Sequence, residues 1–190
     1  ILRHQSMQYS QSNSPVYGIL FDGAWLWEEY LATILCNPKL AEKQFLHPSN
    51  KTSKGGIKLF DNSQNDDDEI AFSKCYRRIY PDFYRKNQII LDAKYKHLEN
   101  GFIRDDLYQI ISYMHTMKIA TGGFIFPISL TTSTNQSREI EVKTFKLAND
   151  TGTVCTIAFP VPQNAENYNK FSELMNLQEK ALIQVLTKSF

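Results

Sequence analysis

The sequence has little of the material that several classes of protein need. Its 190 residues contain no run of the ~18 apolar residues that a membrane-spanning helix requires, and no GxxxxGK[ST] loop for nucleotide phosphates. The cysteines, Cys36, Cys75 and Cys155, lie too far apart to form CxxC pairs for zinc or an iron–sulfur cluster. Distant thiols in odd number are typical of free cysteines in a reducing cytosol, so we expect a cytoplasmic protein.

Neither sign of charge dominates, since 21 Lys and Arg face 20 Asp and Glu. The net charge therefore does not by itself indicate a nucleic-acid partner. The distribution is uneven, because residues 77–104 are rich in Lys and Arg, whereas the acidic run 61–69 is interpreted as a solvated loop. The chain starts at Ile1 and continues through a polar stretch, so we expect the C-terminal part of a longer protein.

The apolar periodicity predicts helices and strands in the order helix, β-hairpin, helix, strands, helix. The expected elements are a helix over 23–36, a short strand over 57–60, hairpin strands over 76–84 and 88–96, a helix over 103–118, strands over 124–127, 139–147 and 153–160, and a helix over 163–187. This order implies an α/β/α sandwich with a mixed central sheet. We expect a single domain over 1–190, with its core at about 20–160.

Local signals predict where some of these elements begin and end. Asp22 is an N-cap residue for the first helix. The second helix is expected to end near Lys118, with Gly122 and Gly123 breaking it. Leu177 is expected on the apolar stripe of the final helix.

The predicted hairpin carries acidic residues inside otherwise apolar strands. Burying a charged side chain costs free energy, so we expect these residues to have a function. Side chains alternate along a strand, so Asp92 and Lys94 point to one face and Ala93 to the other. A turn at residues 85–87 would fold Asp82 back to the level of Asp92. Two carboxylates and an ammonium group are therefore expected within a few ångströms of each other.

Two carboxylates and the backbone carbonyl of Ala93 would form an oxygen-rich partial shell of the kind that Mg²⁺ takes, and Mn²⁺ could substitute. Such an ion polarises a phosphoryl oxygen and acidifies bound water, while Lys94 would orient that water or stabilise charge on the phosphate. The alternative interpretation is an ordinary Asp–Lys ion pair on a solvated sheet face, because D-x-K is a short and common string.

Two motifs together resemble the signature of the PD-(D/E)XK nuclease superfamily. Pro81-Asp82 is followed by Asp92-Ala93-Lys94 at the end of an apolar strand. The segment 106–113, DLYQIISY, is similar to the Gln-xxx-Tyr motif of RecB-like members, and its i,i+4 spacing places Gln109 and Tyr113 on one helix face. Gln109 and Tyr113 would then support the site, although simple core packing of Tyr113 stays an alternative.

A third motif lies on the first predicted helix. The segment 26–31, LWEEYL, is similar to the helix-borne acidic motif of the same superfamily. The resemblance implies that Glu28 is a carboxylate on the metal side and that Glu29 is a surface neighbour. Without it, both would be interpreted as solvated.

Within the superfamily, LDAKYK followed by DLYQIISYM resembles the McrC family, the nuclease subunits of McrBC-type modification-dependent restriction systems. The resemblance covers roughly residues 20–127. It implies a restriction-endonuclease-like fold and a Mg²⁺-dependent endonuclease that cuts double-stranded DNA in defence of a prokaryotic cell against foreign DNA. The implied catalytic residues are Asp82, Asp92, Lys94 and Glu28, with Asp82, Asp92, Glu28 and the Ala93 carbonyl holding the metal.

The resemblance also implies partners. A separate McrB-like AAA+ GTPase motor subunit is expected, and a dimer on DNA would supply the two active sites that double-strand cleavage needs. The basic residues Arg85, Lys86 and Lys96 are expected to flank the site and to contact DNA phosphates.

Two alternatives stay open. One is a stand-alone RecB-like repair or recombination nuclease, which would need no GTPase, although the four-cysteine cluster of the iron–sulfur subtype is lacking. The other is an inactive DNA-binding or assembly module of the same fold. The presence of Asp82, Asp92, Lys94 and Gln109 together favours an active enzyme, because decay would be expected to remove some of them.

Overall fold

A computed structural model describes residues 3–7, 16–20, 22–48, 56–59, 78–96, 98, 101–130, 139–163 and 165–190. The strands and helices in chain order are β1 (Arg3–Met7), β2 (Val16–Leu20), α1 (Gly23–Leu35), β3 (Ile57–Lys58), β4 (Arg78–Ile79), β5 (Phe83–Arg85), β6 (Ile89–Ala93), α2 (Arg104–Met117), β7 (Thr121–Leu130), β8 (Glu141–Lys146), β9 (Thr153–Pro162) and α3 (Tyr168–Lys188). Short 3-10 turns lie at Pro38–Lys43 and Ala148–Asp150.

The central sheet has five strands in the order β5-β6-β7-β9-β8. Its inner strands β6, β7 and β9 run parallel, and the edge strands β5 and β8 pair antiparallel to them. Helices α1 and α3 cover one face of the sheet, and α2 covers the other. The predicted α/β/α sandwich with a mixed central sheet is therefore confirmed.

Alternating side chains along β6 divide the interior into two cores. Ile89 and Leu91 pack into the core that α1 and α3 share, whereas Ile90 packs with Ile110 of α2. Burying each such side chain stabilises the fold by roughly 1.5–3 kcal/mol. The same alternation turns Asp92, two residues after Ile90, toward α2, so the position of the carboxylate follows from the packing of the core.

The first helix begins and ends where the sequence predicts. The Asp22 side chain accepts hydrogen bonds from the backbone N–H groups of Ala24 and Trp25, both at 3.1 Å. These bonds satisfy two donors that the first helical turn leaves unpaired. Cys36 caps the other end, and Pro38 prevents continuation of the helix.

The predicted end of the second helix near Lys118 is confirmed, but the predicted role of Gly122 and Gly123 as its breakers is wrong, because α2 already ends at Met117 and both glycines lie inside β7. A Cβ atom at Gly122 would lie 2.6 Å from the Met114 sulfur, and one at Gly123 would collide with the Cys155 sulfur. The glycines thus let α2 and β9 approach the central strand closely, which is the other common reason for glycine within a strand.

The hairpin strands are shorter than predicted. Of the expected strand 76–84, Phe83 and Tyr84 pair with Leu91 and Ile90 of β6, whereas Arg78–Ile79 pairs with β3 instead. The sequence predicts one continuous run because its apolar pattern does not show that the chain changes partner at Pro81, which cannot donate a ladder hydrogen bond. Residues 76 and 77 lie outside the described ranges.

The last helix begins at Tyr168, five residues later than predicted, because β9 extends to Pro162 and the Asn167 side chain caps the helix by accepting from the Lys170 N–H. Leu177 is 52% exposed, so its predicted place on the apolar stripe is wrong. The neighbouring Gln178 is buried instead.

The predictions on membrane spans, cysteines and the short strand near residue 57 can be compared with the described residues. Within the described ranges, no helix is long and apolar enough to cross a membrane. Cys36 and Cys155 are free thiols, and Cys75 lies outside the described residues. The short strand expected over 57–60 is found at Ile57–Lys58, and the acidic run 61–69 lies outside the described residues.

Candidate active site

Asp82 and Asp92 meet at the open end of the β5–β6 hairpin. Phe83 pairs with Leu91, so Asp82, the residue before β5, returns to the level of Asp92. The Asp82 carboxylate accepts a hydrogen bond of 2.7 Å from the Ala93 N–H, which holds it against the end of β6. The predicted proximity of Asp82 to the Asp92 level is confirmed.

Lys94 lies at the centre of a set of three acceptors. Its Nζ is 2.5 Å from Asp92 Oδ2 and 3.3 Å from Asp106 Oδ1, and it donates a hydrogen bond of 3.0 Å to Gln109 Oε1. An ammonium group has three N–H donors, so these acceptors match its capacity. Burial lowers the pKa of Lys94, but the ion pairs with Asp92 and Asp106 outweigh burial and leave that pKa raised. Lys94 is therefore positively charged at neutral pH.

Helix α2 supplies the support for Lys94. Gln109 Nε2 donates to the Tyr113 hydroxyl at 2.9 Å, and that hydroxyl donates to the backbone carbonyl of Tyr80 at 3.4 Å. This chain of donors orients the Gln109 amide so that its oxygen faces Lys94. The residues predicted to support the site are thus brought into contact with it.

Asp106 is a site residue that sequence reasoning missed. It is 8% exposed and pairs with Lys94 and also with Lys96, whose Nζ is 2.5 Å from Asp106 Oδ2. A signal for it exists in the sequence, because Asp106 lies three residues before Gln109 and seven before Tyr113, on the same helix face.

Glu28 of α1 and His47, which follows the 3-10 turn, lie together on one side of the site. His47 Nδ1 lies 2.6 Å from the Asp82 backbone carbonyl, and because a carbonyl only accepts, Nδ1 is the donor. His47 Nε2 then faces Glu28 Oε1 at 3.6 Å, and the ring stacks on Phe83 with centroids 5.0 Å apart. Glu29 is exposed, as predicted.

No motif in the sequence points to His47. It enters the site only because its neighbour Leu46 bridges to Tyr84 of the edge strand β5. That contact joins segments far apart in the chain, and periodicity within one segment cannot reveal it.

The acidic side chains of the site repel one another. Burial, followed by the charges of Asp92 and Glu28, raises the pKa of Asp82 to about 8. Burial also raises the pKa of Asp92, against the opposing charge of Lys94. Four carboxyl groups, counting Asp106, share two ammonium groups, those of Lys94 and Lys96. This excess of oxygen ligands and negative charge favours a hard divalent cation.

Among the described residues, no group of three or more His, Cys, Asp or Glu side chains is arranged to hold a metal ion. Mg²⁺ usually binds one or two carboxylates and keeps several waters for substrate phosphate. Asp82 and Asp92 are two carboxyl groups at this end of the hairpin, and the charge of Glu28 is near enough to raise the pKa of Asp82.

Without metal, the buried carboxyl of Asp82 should make stability depend on pH. Its pKa is raised in the folded protein to about 8, above the usual 3.8, so folding favours the protonated form. The contribution of this carboxyl to stability is therefore fully present below about pH 4 and is lost as pH rises through about 8. We expect Asp82→Asn to flatten this fall and to raise Tm at pH 8 in EDTA by at least about 2–4 °C, the effect of roughly 1 kcal/mol in a domain of this size.

The measurement is thermal unfolding in EDTA from pH 4 to pH 9, with Asp150→Asn as a control at an exposed carboxyl. Equal pH slopes for Asp82→Asn and the unmodified protein would contradict the prediction.

The predicted basic flank is wrong for Arg85, and the contact of Lys86 with DNA stays a prediction. Arg85 is 6% exposed, donates a hydrogen bond of 2.8 Å to the Leu186 carbonyl and lies over the Phe45 ring. It is the last residue of β5, not part of the turn, so it serves the core and cannot reach a DNA phosphate. Lys86 is exposed in the turn, at the end of the hairpin opposite Asp82. Lys96 alone of the three belongs to the site.

The chain is similar to a known protein family and to a solved structure. A family model described as McrBC 5-methylcytosine restriction system component matches residues 1–127. No curated protein matches the chain. A solved half-complex of Thermococcus gammatolerans McrB AAA+ hexamers with bound McrC is similar at 16% identity and a TM-score of 0.49, over 89% of this chain and 34% of that chain. The chain thus spans about a third of that relative's length. Because the family model matches more than half of it, this chain belongs to the family of McrBC 5-methylcytosine restriction system components.

Proposed function

We propose that this chain is the nuclease subunit of a McrBC-type restriction system and a PD-(D/E)XK enzyme that hydrolyses phosphodiester bonds in double-stranded DNA. The observation that carries the proposal is the cluster of Asp82, Asp92 and Lys94 at one end of the hairpin, with Gln109 holding the ammonium group. A buried Asp–Lys pair alone would need no second carboxylate beside it. Burial and the neighbouring carboxyl groups raise the pKa of Asp82, so its charged form is costly unless a cation lies beside it, which supports a cation as part of the function.

Different residues would bind the metal ion and position the substrate. Asp82, Asp92, the Ala93 carbonyl and Glu28 would hold Mg²⁺ or Mn²⁺, which when bound polarises a phosphoryl oxygen and acidifies water. His47 would lie beside Glu28, with 3.6 Å between its Nε2 and the carboxylate. Lys94 would orient the attacking water or stabilise charge on the phosphate.

Lys94 can act on substrate only after it gives up one of its present acceptors, since all three of its donors are engaged. Asp92 is the acceptor whose oxygens are also needed by a cation. Asp106 and Gln109 would then continue to hold Lys94 from α2 while its third N–H turns to the substrate. The missed residue Asp106 is thus a positioning residue in this proposal, and Lys96 shares its second oxygen.

The chain is proposed to work with a separate McrB-like AAA+ GTPase motor subunit. The family model that matches the chain is described as a component of a restriction system, which implies further components. A dimer on DNA would bring together the two active sites that double-strand cleavage requires. The free thiols of Cys36 and Cys155 agree with the proposed place in the prokaryotic cytoplasm.

Cleavage of circular duplex DNA tests the proposal and separates it from its alternatives. We expect cutting with Mg²⁺ or Mn²⁺, none in EDTA, and a strong increase when the motor subunit and GTP are added. Full activity without the motor would support a stand-alone RecB-like nuclease. DNA binding without cutting under every condition would support an inactive module, and cutting that persists in EDTA would overturn the metal-dependent mechanism.

A further inference from the structure

A cavity of about 600 Å³ lies beside the candidate active site, on the face of the sheet that α1 and α3 cover. Its lining comes from the first turns of α1, the ends of β7 and β9, the start of α3, and Tyr95 and Lys96. The volume is in the range of small-ligand sites. None of the roles proposed above uses this space.

The wall formed by α1 is aromatic and rigid. Trp27 is buried and donates its indole N–H to the Ile125 carbonyl at 3.3 Å. Its ring stacks with Tyr30, with centroids 5.7 Å apart, and meets Phe159 edge to face. Because the indole is held on several sides, the wall offers a fixed aromatic surface.

Tyr95 forms the opposite rim and is 58% exposed. Its ring lies over the first residue of α1, and a Cβ atom at Gly23 would be 2.6 Å from the Tyr95 ring. Glycine at this position therefore leaves room for the ring. A half-exposed aromatic side chain stabilises the core less than a buried one does. Its exposed ring face is suited to stacking with a planar ligand.

The cavity and the active site share neighbouring residues on two segments. Trp27 precedes Glu28, Tyr95 follows Lys94, and Lys96 both lines the cavity and pairs with Asp106. The rim of the cavity therefore lies next to the carboxylates, so a DNA strand with its phosphate at the carboxylates would have the cavity within reach of an adjacent base.

We propose that this cavity binds one nucleobase of the DNA, taken out of the base stack next to the scissile phosphate and stacked on Tyr95. The aromatic and aliphatic lining would supply stacking, Ser129 and Gln163 would offer polar groups to the base edge, and Lys96 would accompany the phosphate. The shared Lys96 favours a nucleotide over an apolar side chain of a protein partner, which would gain nothing from the cation. This inference rests on the proposed nuclease function and specifies how that site holds its substrate.

The test uses Tyr95→Ala, Tyr95→Phe and Ser129→Trp, which fills the cavity from β7. Tyr108→Ala is the matched control, because Tyr108 is 63% exposed on α2 and does not line the cavity. Duplexes carrying one 2-aminopurine at successive positions report extrusion of a base by a rise in fluorescence. Binding is measured by anisotropy with Ca²⁺ in place of Mg²⁺, since Ca²⁺ also takes oxygen ligands, and thermal unfolding checks that each variant is folded.

We expect a fluorescence rise at one position with the unmodified protein. Tyr95→Ala and Ser129→Trp should lose it and bind DNA about 5- to 100-fold more weakly, the range for one lost base-stacking contact. Tyr95→Phe and Tyr108→Ala should behave like the unmodified protein.

Equal binding and fluorescence for Tyr95→Ala and the unmodified protein would overturn this inference, as would an equal loss with Tyr108→Ala. Weaker association of Tyr95→Ala with the motor subunit, with DNA binding unchanged, would assign the cavity to a protein side chain and would also overturn it. If the unmodified protein cuts DNA while the variants cut equally well, this inference alone fails. If the unmodified protein neither binds nor cuts DNA, the proposed function fails as well.

Discussion

Asp92→Asn is expected to abolish DNA cleavage and to leave the fold intact. Asn keeps the volume of a side chain that is only 2% exposed, but it removes the negative charge that would hold the cation. A catalytic metal contributes several kcal/mol to the transition state, and each ~1.4 kcal/mol is tenfold in rate, so single-turnover cleavage should fall by at least about a thousandfold.

Stability should not fall with activity. Burial raises the pKa of Asp92, which means that the folded protein disfavours its charged form. A neutral Asn should therefore leave Tm in EDTA unchanged or slightly raised. Asp105→Asn is the control, because Asp105 is exposed in the same first turn of α2 as Asp106. Nicking by Asp92→Asn at saturating Mg²⁺ would contradict the assignment of Asp92 to the metal.

Lys94→Arg is expected to bind DNA and Mg²⁺ with near-native affinity and to cut at least ~100-fold more slowly. The three acceptors around Lys94 surround a compact ammonium group. A guanidinium group is planar, carries five donors and cannot place one N–H where the ammonium places it. The positive charge stays, so a loss of rate would measure placement of that charge and not its presence.

Single-turnover cleavage and metal titration of DNA binding, done in parallel, separate these roles. Lys180→Arg on the exposed side of α3 provides the matched control. Near-native cutting by Lys94→Arg would reduce Lys94 to a counter-ion for Asp92 and Asp106. Collapse of metal affinity in this variant would instead show that charge balance and catalysis depend on the same contact.

The sequence alone predicted which residues share a face of one strand or helix, because this depends only on their spacing within that segment. The strand period of two places Asp92 and Lys94 on one face, and the helical period aligns Gln109 with Tyr113. The cap at Asp22 was predictable for the same reason, since a capping residue bonds to N–H groups two and three positions further along.

Only the tertiary structure decided which distant segments meet. Arg85 points into the core and bonds to the Leu186 carbonyl, and Gly122 leaves room for α2 to pack against β7. His47 contacts the Asp82 carbonyl because the segment before it pairs with the edge strand β5. Local periodicity describes which way a side chain points from its own backbone, but not what lies in that direction. The partners of Lys94 on α2, and the cavity between Tyr95 and Trp27, exist because packing of the two cores brings separate elements to the same end of the sheet.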